Sequence, residues 1–209
     1  MPFGYVGNFP NQQLKNSGIF SPEDVLNLSA VGEYGGSLQL IEEKSISGVS
    51  SAIFTDIQEA QYDIHYLQII NAQPVTDGTD IRIRFYESGV EESGSVYDMA
   101  YLYNSSGSGS KAEVKSSTSS YLRGTFNIGN ASYEAGNSYC YFYDLGNANK
   151  YSFQNMHTSV MGNNNALLSA FGGGVLPQTS VVDQIKLYNG SGNFSCTAKL
   201  FGVKQIWVT

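Results

Sequence analysis

Charge is scarce in this chain. Asp, Glu, Lys and Arg make up only 14% of its 209 residues, and 11 basic side chains stand against 18 acidic ones, for a formal net charge of −7. With no Lys/Arg cluster, the chain lacks the means to displace counterions from a phosphate backbone, which excludes nucleic acid as the expected partner. Long apolar runs are missing as well. None approaches the roughly 18 residues of a membrane-spanning helix, and Met1-Pro2-Phe3-Gly4-Tyr5 lacks the basic flank and apolar stretch of a signal peptide. The expectation is a soluble, unprocessed protein with no membrane partner. Cysteine is limited to Cys140 and Cys196, far apart and in neither a CxxC nor a Cys/His spacing. They are expected as two buried free thiols, in keeping with folding in a cytoplasm.

The arrangements that catalysis needs are also absent. There is no HExxH, GxSxG, Walker loop or GxGxxG. The two histidines, His65 and His157, sit in strand-like runs without a third ligand at a defined spacing, so they are expected as hydrogen-bonded strand residues and no metal is predicted. Glu42-Glu43 and Glu91-Glu92 are adjacent pairs, and in a strand adjacent side chains face apart, which prevents them from sharing a substrate. Asp77-Gly78-Thr79-Asp80 lacks the further oxygen ligands of a calcium loop and is read as a hairpin turn. Asn-x-Ser sequons at Asn27, Asn104, Asn130, Asn189 and Asn193 follow from the Asn and Ser content and carry no secretory inference. No enzyme and no cofactor is expected.

What the chain does have is apolar and aromatic surface: 41% hydrophobic and 13% aromatic residues, among them 15 Tyr and 11 Phe, ample for a core. Residues 1–18 show no sustained period and scatter Phe3, Tyr5, Val6 and Phe9 among glycines, so they are read as an extended arm whose apolar side chains lie on the main domain or dock on another chain, a floppy terminus being the alternative. Ser21-Pro22-Glu23-Asp24 supplies an N-cap, a proline at the first helical position and an acidic residue three after the cap, predicting a helix of about two turns over Ser21 to Leu28.

From Ser37 onward the period is two. Ile81, Ile83 and Phe85 alternate with Arg82 and Arg84, and Phe194, Cys196, Ala198 and Leu200 alternate with Ser195, Thr197 and Lys199. Further strands are expected over 38–45, 52–57, 62–71, 96–103, 121–128, 138–145, 151–158 and 181–188. Turn chemistry at Asp77-Gly78, Glu87-Ser88-Gly89, Gly129-Asn130, Gly146-Asn147 and Asn189-Gly190 separates them. The Ser- and Gly-rich stretch 104–120 is expected as a surface loop, and Gly172-Gly173-Gly174 as a bend or bulge within a strand. About ten strands with no helical period between them predict an all-β fold. The architecture expected is an antiparallel β-sandwich, jelly-roll-like, spanning 37–209 behind an N-terminal arm with one short helix, 1–36.

In Tyr139-Cys140-Tyr141-Phe142-Tyr143 aromatics occupy both faces of one strand, so Cys140 and Phe142 are assigned to the core and Tyr139, Tyr141 and Tyr143 to an outer face. Such a face suits subunit contact or sugar stacking, or serves as a ladder of cross-strand pairs.

The opening Met1-Pro2-Phe3-Gly4-Tyr5-Val6-Gly7-Asn8, with Ser17-Gly18-Ile19-Phe20-Ser21 and Gly36-Ser37-Leu38-Gln39-Leu40-Ile41, resembles the start of accessory virion structural proteins of tailed phages infecting marine bacteria. The similarity continues through Tyr62-Asp63-Ile64-His65, Ile81-Arg82-Ile83-Arg84-Phe85, Lys150-Tyr151-Ser152-Phe153, Gly172-Gly173-Gly174-Val175 and Phe201-Gly202-Val203-Lys204. The resemblance implies a non-enzymatic β-sandwich module, made in the host cytoplasm and carried on the virion exterior as a capsid decoration or a tail or fibre component. Its implied partners are other virion proteins and further copies of the chain, a trimer being compatible. On this reading the arm residues Phe3, Tyr5, Val6 and Phe9 lie along a neighbouring subunit. The alternative is a carbohydrate-binding module or receptor-binding domain that holds a host glycan on its exposed tyrosines.

Overall fold

The computed structural model describes residues 37–109 and 111–204; Phe3, Tyr5, Val6, Phe9 and the helix expected at Ser21 to Leu28 lie outside them. The described residues form strands β1 (Leu38–Val49), β2 (Ser51–Phe54), β3 (Ile64–Pro74), β4 (Ile81–Glu87), β5 (Val90–Glu91), β6 (Tyr97–Ser105), β7 (Lys111–Ser119), β8 (Leu122–Arg123), β9 (Gly136–Tyr143), β10 (Ser152–Met161), β11 (Leu167–Leu176), β12 (Val182–Asn189) and β13 (Phe194–Val203). No helix occurs among them.

Two antiparallel sheets make a sandwich-like fold. The larger has the order β1-β13-β3-β9-β10-β11-β6-β7 and the smaller β2-β12-β4-β5, with β8 also pairing β4. The two-residue period explains the layering: β13 buries Phe194, Cys196, Ala198 and Leu200, and β4 buries Ile81, Ile83 and Phe85. The inward rings join the sheets, Phe85 of β4 meeting Phe142 of β9 edge to face at 5.7 Å and Tyr97 of β6 at 6.1 Å. Tyr97 keeps its buried hydroxyl satisfied by donating to the Glu92 carbonyl at 3.0 Å and accepting the Phe85 amide at 3.1 Å. The hairpin β4–β5 turns on Ser88 and Gly89, both at positive φ (52° and 76°), with Glu87 opposite Val90. That is the left-handed pair a tight two-residue turn demands.

Three expectations are corrected. The stretch 104–120 is not a surface loop: it ends β6 and supplies β7, joined by a short turn. Because β7 is an edge strand with one covered face, Val114 packed on the core, with charged Lys111, Glu113 and Lys115 and small residues elsewhere, suffices. The segment 121–128 is not a full strand. Only Leu122 and Arg123 pair with β4, and the amides of Gly124 and Thr125 both donate to the Ile81 carbonyl. Its alternate residues Leu122, Phe126 and Ile128 are nevertheless buried, so the apolar period tracked burial without a ladder.

Nor do the three glycines form a bulge, since β11 runs in unbroken register with β10 and β6 through all of them. They are small because neighbours use the space. A Cβ on Gly172 would lie 2.3 Å from the Ala100 carbonyl oxygen, and one on Gly174 would lie 2.4 Å from Leu122 Cδ2.

Candidate functional site

The register of the larger sheet, continuous through β9, β10, β11 and β6, decides what its outer face looks like. One row of directly opposed residues runs Leu40, Phe201, Tyr66, Tyr141, Asn155, Gly173, Ala100, Lys115 across all eight strands. The next, two residues along, runs Glu43, Lys199, Gln68, Tyr139, His157, Phe171, Leu102, Glu113. A third, shorter row holds Ile64, Tyr143, Phe153, Val175 and Asp98. The inward residues between the rows, such as Leu67, Cys140 and Ala170, are fully buried. At the ordinary strand spacing each complete row is about 34 Å long.

Half of this face is a packed aromatic cluster. Tyr66 sits at its centre, 4.8 Å from Tyr141, 6.0 Å from Tyr139 and 6.0 Å from Phe201 between ring centroids. Tyr141 reaches on to Tyr143 at 6.5 Å, and Tyr139 to His157 at 5.4 Å. The structure therefore brings Tyr139, Tyr141 and Tyr143 together on the outer face. Tyr66 and Phe201 were not singled out from sequence, although each occupies the outward position of a strand whose inward positions are apolar, the same signal that marked the tyrosines of β9. Burial raises the Tyr141 hydroxyl above its ordinary value, with neighbouring tyrosines adding to it. Only Tyr141 and Tyr143 come close to sharing a plane, at 28°; Tyr66 tilts by 38° to Tyr141, and Tyr139 meets Tyr141 at 81°.

The other half is a trough. Gly173 and Ala100 present no side chain beyond a methyl, leaving a groove of about 700 Å³ beside Asp98, Phe153, Asn155 and Val175. A second depression of about 380 Å³, lined by Phe171, Leu102 and Glu113, shares Ala100 and Lys115 with it. Phe153 and Phe171 are 46% and 47% exposed, high for phenyl rings. The pairing of β6 with β7 slips between Tyr97 and Met99, so that Asp98 faces a bulge on β7, the kind of irregularity that re-aims side chains beside a site.

The smaller sheet's outer face is different in kind. Asp80 accepts Arg82 Nε at 3.1 Å and Arg123 Nη1 at 2.8 Å, while Glu91 accepts Arg84 Nη1 at 2.8 Å and Lys186 Nζ at 2.7 Å. Arg82 lies 4.1 Å over the Tyr121 ring and Arg84 4.8 Å over that of Tyr188. Burial works to raise the Glu91 carboxyl, but hydrogen bonds from Arg84 and Lys186 outweigh it and hold it below the usual carboxylate range.

The remaining sequence candidates fall elsewhere. Asp77 and Asp80 do not converge on a cation: Asp77 caps the Asn130 amide and Asp80 is bound to two arginines. His65 is buried in β3 with Nε2 bonded to the Ile57 carbonyl at 2.8 Å, and burial lowers its pKa despite that bond and the Asp63 charge. His157 lies outward against Tyr139, and no group of three metal-ligating side chains occurs among the described residues. Cys140 and Cys196 are buried free thiols, each pushed up to about 12 by burial. No helix among the described residues is long and apolar enough to cross a membrane.

No protein-family model matches the chain, and no curated protein matches it either.

Proposed function

We propose that this chain is a non-enzymatic structural module of a tailed-phage virion, displayed on the particle surface as a capsid decoration or a tail or fibre component. Residues 1–36, with a short helix, serve as the anchoring arm, and the sandwich is of the jelly-roll-like kind. The phage assignment rests on the segment resemblances from Met1 to Lys204. The observation that carries a contact role is the outer face of the larger sheet, where Tyr66, Tyr139, Tyr141, Tyr143 and Phe201 form one continuous partly exposed cluster. A connected, partly exposed aromatic patch of this kind supports the reading of a surface for another molecule. Its partners are other virion subunits and further copies of the chain, a trimer being compatible.

A carbohydrate- or receptor-binding domain using these tyrosines is the alternative. Sugar stacking needs open ring faces, whereas Tyr66, Tyr139 and Tyr141 pack against one another, so the tyrosine cluster favours protein contact.

Immunogold electron microscopy of purified particles, with antibody against the sandwich, tests the proposal. Label over the head assigns a decoration protein, label on the tail assigns a fibre or tail component, and absence of label overturns the virion reading. A chain lacking residues 1–20 is expected to fold yet fail to enter particles.

A further inference from the structure

The tyrosine cluster ends at Asn155, and from there to β7 the same face changes character. Gly173 and Ala100 drop the surface, exposed Phe153 and Phe171 stand on either side of the drop, and polar groups line it. The Asp98 carboxylate and the Asn155 side-chain amide engage no hydrogen bond and no ion pair among the described residues, unlike the carboxylates of the smaller sheet. Groups left free beside two exposed rings are what a hydroxyl-rich ligand requires: the rings take the C–H faces of sugar units and the carboxylate and amide take vicinal hydroxyls.

Shape and charge narrow the class. Phe153 and Phe171 are four residues apart in register, about 13 Å along the strands, and the two depressions adjoin at Ala100 and Lys115. That length suits a chain of sugars rather than a single one. Asp98 and Glu113 outnumber Lys115, which itself faces Glu113 at 3.6 Å, and the whole protein carries −7. A sulfated or uronate-rich polymer would meet repulsion there.

From this we infer that the trough between β10, β11, β6 and β7 is a binding site for a neutral oligosaccharide. Phe153 and Phe171 form its stacking points, and Asp98 and Asn155 its hydroxyl-binding groups. The inference deepens the reading of this face as a contact surface by assigning its second half a ligand.

The test is a glycan microarray bearing neutral, sulfated and uronate-containing oligosaccharides, probed with the full chain, followed by calorimetric titration with the strongest neutral hit. Expected is binding to neutral oligosaccharides, weakened about tenfold or more in Phe153→Ala and in Asp98→Ala, with the melting temperature of each variant unchanged. The milder Asp98→Asn keeps shape and hydrogen-bonding capacity and should fall between wild type and Asp98→Ala. Failure to bind any neutral glycan, preference for the anionic ones, or undiminished binding by Phe153→Ala and Asp98→Ala would overturn the site. Binding lost in Tyr66→Ala/Tyr141→Ala but kept in Phe153→Ala would also overturn it, moving the sugar onto the tyrosines. Immunogold labelling decides the virion reading independently, so either conclusion can fail without the other.

Discussion

The two sheets of this sandwich turn opposite kinds of surface outward. On the smaller sheet, Arg82, Arg84, Arg123 and Lys186 share the carboxylates of Asp80 and Glu91 over the rings of Tyr121 and Tyr188. On the larger sheet, uncharged aromatics fill one half of the face and a side-chain-poor trough the other, where Asp98 and Asn155 stay without partners among the described residues. A charged surface is not by itself a binding surface. Where ionic groups are spent on each other they satisfy one another, and recognition falls to the face whose polar groups have no such partner among the described residues.

The contrast can be broken at several points. The largest effect is expected from Asp80→Ala, which strands Arg82 and Arg123 in a half-buried site; chemical denaturation should show a loss of about 2 to 3 kcal/mol. Asp98→Ala on the opposite face should stay within about 0.5 kcal/mol of wild type. Equal losses would mean that the two carboxylates are used alike. Next in size, Tyr66→Ala should cost about 1 kcal/mol through its ring contacts, measured in the same way.

Acid should act through the smaller sheet and the core. Because the Glu91 carboxyl is held below its ordinary value in the folded protein, its stabilisation is full above that value and is lost as pH falls through the folded one. Glu91→Gln should flatten this part of the curve of melting temperature against pH. His65, whose pKa burial lowers, favours the unfolded chain as pH drops below its ordinary value near 6.5, so stability is full above that pH and declines beneath it. The smallest effect is expected from reductant: with Cys140 and Cys196 unpaired and held as thiols, dithiothreitol should leave the melting temperature unchanged, and a thiol reagent should react only on unfolding.

Sequence reasoning succeeded where one strand carries its own answer. Ile81 to Phe85 and Phe194 to Leu200 alternate strictly because one face of each meets the core, and the same alternation set Cys140 and Phe142 inward and their tyrosine neighbours outward. It failed where the answer depends on a neighbour. Strand β7 was missed because an edge strand covered on one side needs little apolar content, and 121–128 was overread because burial with only local pairing at Leu122, Arg123 and Ile128 shows the same period. The glycines of β11 looked like a bend because the Leu122 and Tyr101 side chains filling the vacated space come from elsewhere in the chain. The tyrosine half of the candidate face was partly legible. The trough was not, because it arises only when register sets Asn155, Gly173 and Ala100 side by side.

Strand β13 lies between β1 and β3, so the larger sheet places one of the last described strands in the gap between two of the first. Until Phe194–Val203 has been synthesised, β1 has no partner in that sheet among the described residues and β3 pairs on one side only. Such non-local pairing raises contact order and slows folding. The sandwich therefore closes late, after translation has passed residue 203, and a nascent or truncated chain presents two adjacent open strand edges that invite pairing with other chains.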